Sequence, residues 1–211
     1  MEKTKEQMRL DEMQSIEKAV RQRGYRYIAG VDEAGRGPLA GSVYAAAVIL
    51  PDDVMIEGLN DSKKVSPKKR EKLYDEIIEK AVSYAVCRVD EKRIDEINIL
   101  NATFEAMNGA VQALRVKPDY VLIDGNRMNG MAIPYETVVG GDAKSASIAA
   151  ASILAKVSRD REIVALSEMY PEYGFEKHKG YGTKVHIEAL KQYGPCPIHR
   201  RSFLKKILGE K

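Results

Sequence analysis

The stretch Tyr27–Gly41 reads YIAGVDEAGRGPLAG. Tyr27 to Asp32 has the apolar composition of a buried strand, and Gly35, Gly37 and Pro38 forbid regular structure soon after it. Ser42 to Leu50 (SVYAAAVIL) is a second apolar run, stopped by Pro51. Two such runs around a glycine-rich turn form an antiparallel pair. A plain hairpin explains the glycines, but it leaves two acids, Asp32 and Glu33, at the end of a buried strand in front of an open backbone. Adjacent strand residues point to opposite faces, so both acids serve one site only if the chain turns or bulges there. The loop itself, with Arg36 between two glycines, can cradle an anion. Its spacing matches neither the Walker pattern nor the dinucleotide fingerprint.

Outward from this pair the elements alternate. Ser66-Pro67 opens a helix with Leu73, Ile77, Ile78 and Ala81 at helical spacing. Tyr84–Val89 is a third strand, and Asp90–Leu114 one long helix. Tyr120–Ile123 is a short strand ending on Asp124-Gly125, and Ile133–Val139 is a fifth. Gly140-Gly141-Asp142 leads into the longest helix, with Ile148, Ile153, Leu154 and Val157 as core candidates. Glu2–Arg23 reads as a short charged helix lying on the body and stopped by Gly24. The order β-β-α-β-α-β-β-α followed by short helices predicts an α/β protein with a mixed sheet, not a regular βαβ repeat.

Asp32, Glu33, Asp124 and Asp142 therefore stand at strand ends or a helix start beside glycines. Asp124 alone is a turn residue and Asp142 alone a helix N-cap. Together at one sheet edge they form a cluster whose like charges raise each other's pKa unless a cation intervenes. All-oxygen ligands select Mg²⁺ or Mn²⁺ over zinc, and two such ions clamp both oxygens of a phosphodiester displacement.

The 211 residues suffice for one large domain with its own core, and 44% hydrophobic with 31% charged is globular composition. Two cysteines, Cys87 and Cys196, exclude a disulfide scaffold and lack metal spacing, so a reduced, cytoplasmic compartment is expected. The longest uncharged stretch, Gly37–Pro51, is too short and interrupted to span a membrane, and the N-terminus lacks a secretory apolar segment. The net charge of +3 hides a contrast: residues 175–211 carry +6 and residues 61–72 carry +4. Such patches are either solvated faces or contacts to a polyanion. His178, His186 and His199 sit among Lys177, Lys179, Lys184, Arg200 and Arg201, which favours phosphate contact or structural hydrogen bonds over metal ligation.

At these residues the sequence resembles the ribonuclease HII family, of the bacterial type. Tyr27–Gly41 is similar to its first motif, LNDSKK (59–64) to its second, IDGN (123–126) to its third and GGDAKSASIAAASILAKVSRD (140–160) to its fourth. HKGYGTKVH (178–186) and HRRSF (199–203) resemble its C-terminal pair. The resemblance implies a ribonuclease H-like mixed five-stranded sheet flanked by helices, with a small helical C-terminal part. On that reading residues 1–24 are an N-terminal extension, 25–174 the catalytic core, and 175–211 a basic segment completing the substrate site. The implied activity is Mn²⁺- or Mg²⁺-dependent endonucleolytic cleavage of RNA in RNA–DNA hybrids. In DNA with embedded ribonucleotides the cut falls 5′ of the ribose, leaving 3′-hydroxyl and 5′-phosphate ends.

By the same resemblance Asp32, Glu33, Asp124 and Asp142 are the catalytic, metal-holding acids. Gly35, Arg36 and Gly37 read the 2′-hydroxyl, Tyr181 stacks on the neighbouring sugar, and Asn60, Ser62 and Lys63 contact phosphate. The 2′-hydroxyl is the group that tells RNA from DNA, and a tyrosine packed on deoxyribose would crowd one there. A monomer without an obligate protein partner is expected. The tail FLKKIL (203–208) lacks the Gln and paired aromatics of a sliding-clamp peptide. Ribonuclease HIII, with GKG in the loop, Glu as its fourth acid and an extra N-terminal domain, fits less well. A non-catalytic hybrid-binding module has no support, since all four acids are present.

Overall fold

The computed structural model describes residues 3–209. Met1, Glu2, Glu210 and Lys211, at the ends of the N-terminal extension and the basic segment, lie outside them. The charged N-terminal segment folds as two helices, α1 (Lys5–Met13) and α2 (Ser15–Gln22), rather than one. The chain breaks at Gln14, whose side chain turns inward to donate to the Val54 carbonyl (2.7 Å).

β1 (Ile28–Ala34) and β2 (Val43–Ile49) form the expected antiparallel pair, in unbroken register from Ala29↔Ile49 to Ala34↔Tyr44. α3 (Pro67–Lys80) carries Pro67 in its first turn, where no amide hydrogen is needed. β3 (Ser83–Val89) then pairs antiparallel with β2. α4 (Glu91–Ala113) was expected to be continuous, but Asn98 interrupts it at φ 66°. Its carboxamide oxygen caps the second half, accepting from the Leu100 and Asn101 amides (3.0 and 3.1 Å). Asparagine bears a positive φ at lower cost than most residues, and its local hydrogen bonds offset the interruption.

β4 (Tyr120–Asp124) lies parallel to β1, and β5 (Tyr135–Val138) parallel to β4, giving the order β3-β2-β1-β4-β5. β5 is shorter than its apolar run suggested. α5 (Ala146–Ser167) packs across β1 and β2 on one face, in a core that includes Ala149, Ile153 and Leu154. The approach is close enough that a Cβ on Gly30 would stand 2.1 Å from the Ser147 carbonyl carbon, so only glycine fits. α4 covers the other face with Ile94, Met107 and Val111. α6 (Phe175–His178), α7 (Lys184–Tyr193) and α8 (Arg201–Leu208) build a separate apolar cluster around Phe175, Leu190 and Leu204. That cluster includes Leu39 and Ala40, so the C-terminal helices are packed onto the glycine loop itself. No described helix is long and apolar enough to cross a membrane.

Candidate active site

The parallel pairing of β1 with β4 runs from Ile28↔Tyr120 to Val31↔Ile123. One step further along both strands stand Asp32 and Asp124, side by side at the sheet's edge. Ligands in α/β sheets bind at such strand ends. Asp32 is 5% exposed, beneath the site, and its Oδ1 accepts from the Glu33 amide (2.7 Å). Asp124 Oδ1 accepts from the Gly141 amide (2.7 Å), which ties the end of β4 to the turn that carries Asp142. A Cβ on Gly141 would crowd Ile148, Val138 and Asp124, so this glycine serves the tie. Asp142 does not open α5 as an N-cap. It lies in a 3-10 turn, Gly141–Ala143, and the cap of α5 is Ser145, whose hydroxyl accepts from the Ile148 amide.

The expected bulge is absent, since β1 keeps its register with β2 through Ala34; instead β1 and β4 part after Val31↔Ile123, and across that opening both Asp32 and Glu33 feel the charge of Asp124. They still share one electrostatic neighbourhood. Burial, then the charges of Glu33 and Asp124, push the Asp32 carboxyl well above the usual carboxylate range. Burial also raises Glu33, against the pull of Arg36, with Asp124 adding to the rise. Burial raises Asp142, joined by the charges of Asp61 and Asp124. Their one ion pair among the described residues is Glu33 with the half-exposed Arg36, at 3.5 Å. The acids are gathered at one edge without being closed onto a point: among the described residues no three His, Cys, Asp or Glu side chains form a ready cage for an ion.

Asp61 was not anticipated. It caps a 3-10 turn, its Oδ1 accepting from the Lys63 amide (2.9 Å). Its charge nevertheless faces Asp142. The 59–64 motif thus meets the acids directly, and exposed Lys63 offsets the charge of both Glu33 and Asp142. Ser62 is buried rather than turned outward, its hydroxyl accepting from Ser152 (2.8 Å). Asn60 is half-buried, with its Oδ1 on the Asp61 amide (2.9 Å).

Beyond the acids the chain turns at Gly35 (φ 98°), leaving Arg36 and Gly37 exposed. Tyr181, 44% exposed, stands over this loop, and a Cβ on Gly37 would lie 3.7 Å from its ring. Leu39 donates to the Gly180 carbonyl (2.8 Å), and buried Arg159 bridges the carbonyls of Ala40 (3.3 Å) and Lys179 (2.9 Å). Loop and tyrosine are therefore one unit.

The histidines are structural. His199 Nδ1 accepts from the Cys196 amide (3.0 Å), so its proton sits on Nε2, donated to His186 Nε2 (3.0 Å). His186 then donates from Nδ1 to the Tyr181 carbonyl (2.9 Å). This order works only with both rings neutral. Burial, then His186, pushes His199 down to about 4, and burial lowers His186 as well.

Residues 29–206 match the sequence pattern of the family described as ribonuclease HII. Ribonuclease HII of Caldicellulosiruptor saccharolyticus is 59% identical, over 92% of this chain and 94% of its own. That of Caldicellulosiruptor bescii is 59% identical over 96% of this chain and its own full length. Ribonuclease H2 of Pyrococcus horikoshii OT3 superposes with a TM-score of 0.72 at 32% identity, covering 87% of this chain and 98% of its own. Ribonuclease HII of Archaeoglobus fulgidus, solved in complex with PCNA, gives 0.69 at 27% identity, over 83% and 94%. The fold is that of the ribonuclease H-like enzymes, a mixed five-stranded sheet flanked by helices. Within that class, the chain belongs to the ribonuclease HII family and is a ribonuclease H, an endonuclease.

Proposed function

We propose that the protein hydrolyses RNA in RNA–DNA hybrids and nicks DNA on the 5′ side of a single embedded ribonucleotide, leaving 3′-hydroxyl and 5′-phosphate ends. The observation that carries this is the gathering of Asp32, Glu33, Asp124 and Asp142 at one sheet edge, short of counter-charge and beside the loop that meets Tyr181. An all-oxygen cluster in which burial and mutual charge push Asp32, Glu33 and Asp142 upward fits a hard divalent cation, Mg²⁺ or Mn²⁺. These four acids would hold it, and when bound it supplies Lewis-acid polarisation of phosphate and activation of water.

The chain's own groups do the rest. Lys63 and Arg36, both exposed beside the acids, receive phosphate oxygens, while Asn60 and buried Ser62 shape the ground beneath. Backbone of Gly35, Arg36 and Gly37 meets the 2′-hydroxyl, and the Tyr181 ring packs on the adjoining deoxyribose. The basic segments 61–72 and 175–211 hold the duplex on either side of the cut, the latter forming a helical part distinct from the 25–174 core and the 1–24 extension. The protein acts as a cytoplasmic monomer in ribonucleotide removal. Its C-terminal helix α8 buries Leu204 against the body, which suits packing rather than capture by a sliding clamp.

The deciding experiment is cleavage of a duplex holding one ribonucleotide. With Mg²⁺ or Mn²⁺ a single nick 5′ to the ribose is expected, with none in EDTA. Asp124→Asn should abolish the nick and retain binding. Cutting in EDTA, or cutting elsewhere than 5′ of the ribose, refutes the mechanism.

A further inference from the structure

Arg200 is fully buried, and among the described residues it forms no ion pair. Its guanidinium serves one loop instead. Nη2 donates to the Gly35 carbonyl (2.7 Å), Nη1 to those of Arg36 (3.1 Å) and Pro38 (2.9 Å), and Nε to that of Gly41 (2.9 Å). The Arg200 amide also donates to the Leu39 carbonyl (2.9 Å). Burial, then Arg159, lowers its pKa to about 9, so it stays charged at neutral pH. A buried cation satisfied only by carbonyls is an expensive way to close a turn.

The peptide geometry shows what the arrangement achieves. In a trans peptide the C=O and N–H point in opposite directions. The Gly35 carbonyl shares its peptide unit with the Arg36 amide, and the Arg36 carbonyl with the Gly37 amide. Both carbonyls are turned inward onto Arg200, so both amides are turned outward. Neither amide donates to another group among the described residues. A cation on the carbonyl side also polarises the peptide and strengthens the donor on its far side. The outward side is the one where Gly37 is exposed and faces the Tyr181 ring.

We propose that Arg200 is a positioning residue, whose guanidinium pins the loop carbonyls inward so that the Arg36 and Gly37 amides are presented to a ligand hydroxyl between the loop and Tyr181. That this hydroxyl is the ribose 2′-hydroxyl rests on the function proposed above. Lysine keeps the charge but offers a single donor centre, which cannot span carbonyls held by three separate nitrogens.

The test is binding, free of turnover. Fluorescence anisotropy compares Asp124→Asn with the double variant Asp124→Asn/Arg200→Lys, in Mg²⁺, on two duplexes that differ by one 2′-hydroxyl. Asp124→Asn should prefer the ribonucleotide duplex, and Arg200→Lys should cut that preference about tenfold, the worth of one charge-supported hydrogen bond. Affinity for the all-deoxy duplex should be unchanged. Guanidinium ion, added below denaturing concentration to Arg200→Ala in the same background, should restore the preference. An undiminished preference in the lysine variant, an equal loss on both duplexes, or no rescue of folded Arg200→Ala overturns the proposal. If Asp124→Asn itself binds the two duplexes alike, the 2′-hydroxyl reading fails and takes this proposal with it.

Discussion

Glu17, in the N-terminal extension, offers a sharp perturbation of the site from outside it. Its carboxylate is 4% exposed, and one oxygen accepts from the Ser145 hydroxyl (2.6 Å), the Ser147 amide (2.9 Å) and the Ser147 hydroxyl (2.7 Å). These donors form the first turn of α5, three to five residues beyond Asp142. A negative charge there also meets the positive end of the helix dipole. Glu17→Ala removes all three bonds. The two serine hydroxyls remain 3.2 Å apart and can satisfy each other, but the Ser147 amide is left buried without an acceptor. With hydrogen bonds to a charge contributing about 1.5–3 kcal/mol each, and part recovered by the serines, the expected loss is about 3 kcal/mol. Glu17→Gln keeps an acceptor and loses the charge, so about 1–2 kcal/mol is expected. Urea unfolding followed by far-ultraviolet circular dichroism measures both. The alanine variant should also need more Mg²⁺ for half-maximal cleavage, because the turn bearing Asp142 is no longer braced. A Glu17→Ala protein within about 0.5 kcal/mol of the parent would refute the assignment of this carboxylate as a brace.

Three further outcomes follow from the same geometry. Gly37→Ala meets only the Tyr181 ring, at an ordinary contact distance, and needs no positive φ, so it should melt with the parent while cleavage at a single ribonucleotide drops about tenfold or more; a matching loss of stability would contradict this. His199 has a folded pKa near 4, below its unfolded value, so its contribution is full above about pH 6.5 and is lost as pH falls toward 4, by about 3 kcal/mol. Urea midpoints across that range should therefore fall less steeply for His199→Gln, and identical slopes would count against the neutral His199–His186 pair. Gly30→Ala should fail to give folded protein at ordinary temperature, since α5 would have to lift off β1, and a normal melting curve would show that the approach is looser than described.

Much of the fold was legible because it rests on short-range signals. Alternating apolar runs, Pro67 at a helix start and the glycine punctuation mark all five strands to within two residues at each boundary, β5 being shortened the most, and they mark the antiparallel β1–β2 pair. What was hidden depended on tertiary partners. Nothing local announces that Asn98 takes a positive φ, or that the chain breaks at Gln14 to reach Val54. The four acids were legible, and the family resemblance grouped them. What sequence periodicity does not encode is the parallel register of β1 with β4 that sets Asp32 beside Asp124. Asp61 carries no local signal of its own, because the charge it presents to Asp142 exists only once residues 61 and 142 are brought together. The basic segment 175–211 reads in sequence as a solvated face or a polyanion contact, yet its Arg200 is fully buried, as is Arg159 on α5.

That last difference bears on how the site keeps its charge. Arg200 could have been neutralised by a carboxylate, as most buried guanidinium groups are. A carboxylate there would set another anion behind the loop that, on the proposed function, faces a polyanionic backbone. Carbonyl partners satisfy the donors and leave the positive charge unspent. Glu17 mirrors this only in part at the other end of the site: hydroxyl and amide donors meet one of its oxygens, the other is buried without a hydrogen-bond partner, and no lysine or arginine pairs with it among the described residues. Its carboxyl group sits at the start of α5, three to five residues beyond Asp142. Each buried charge thus braces the backbone through dipoles and also biases the local field toward the ligand expected on its side. Replacing either by a neutral residue of similar size therefore changes two things at once. Salt separates them, because screening weakens long-range attraction to the duplex while leaving the buried hydrogen bonds intact.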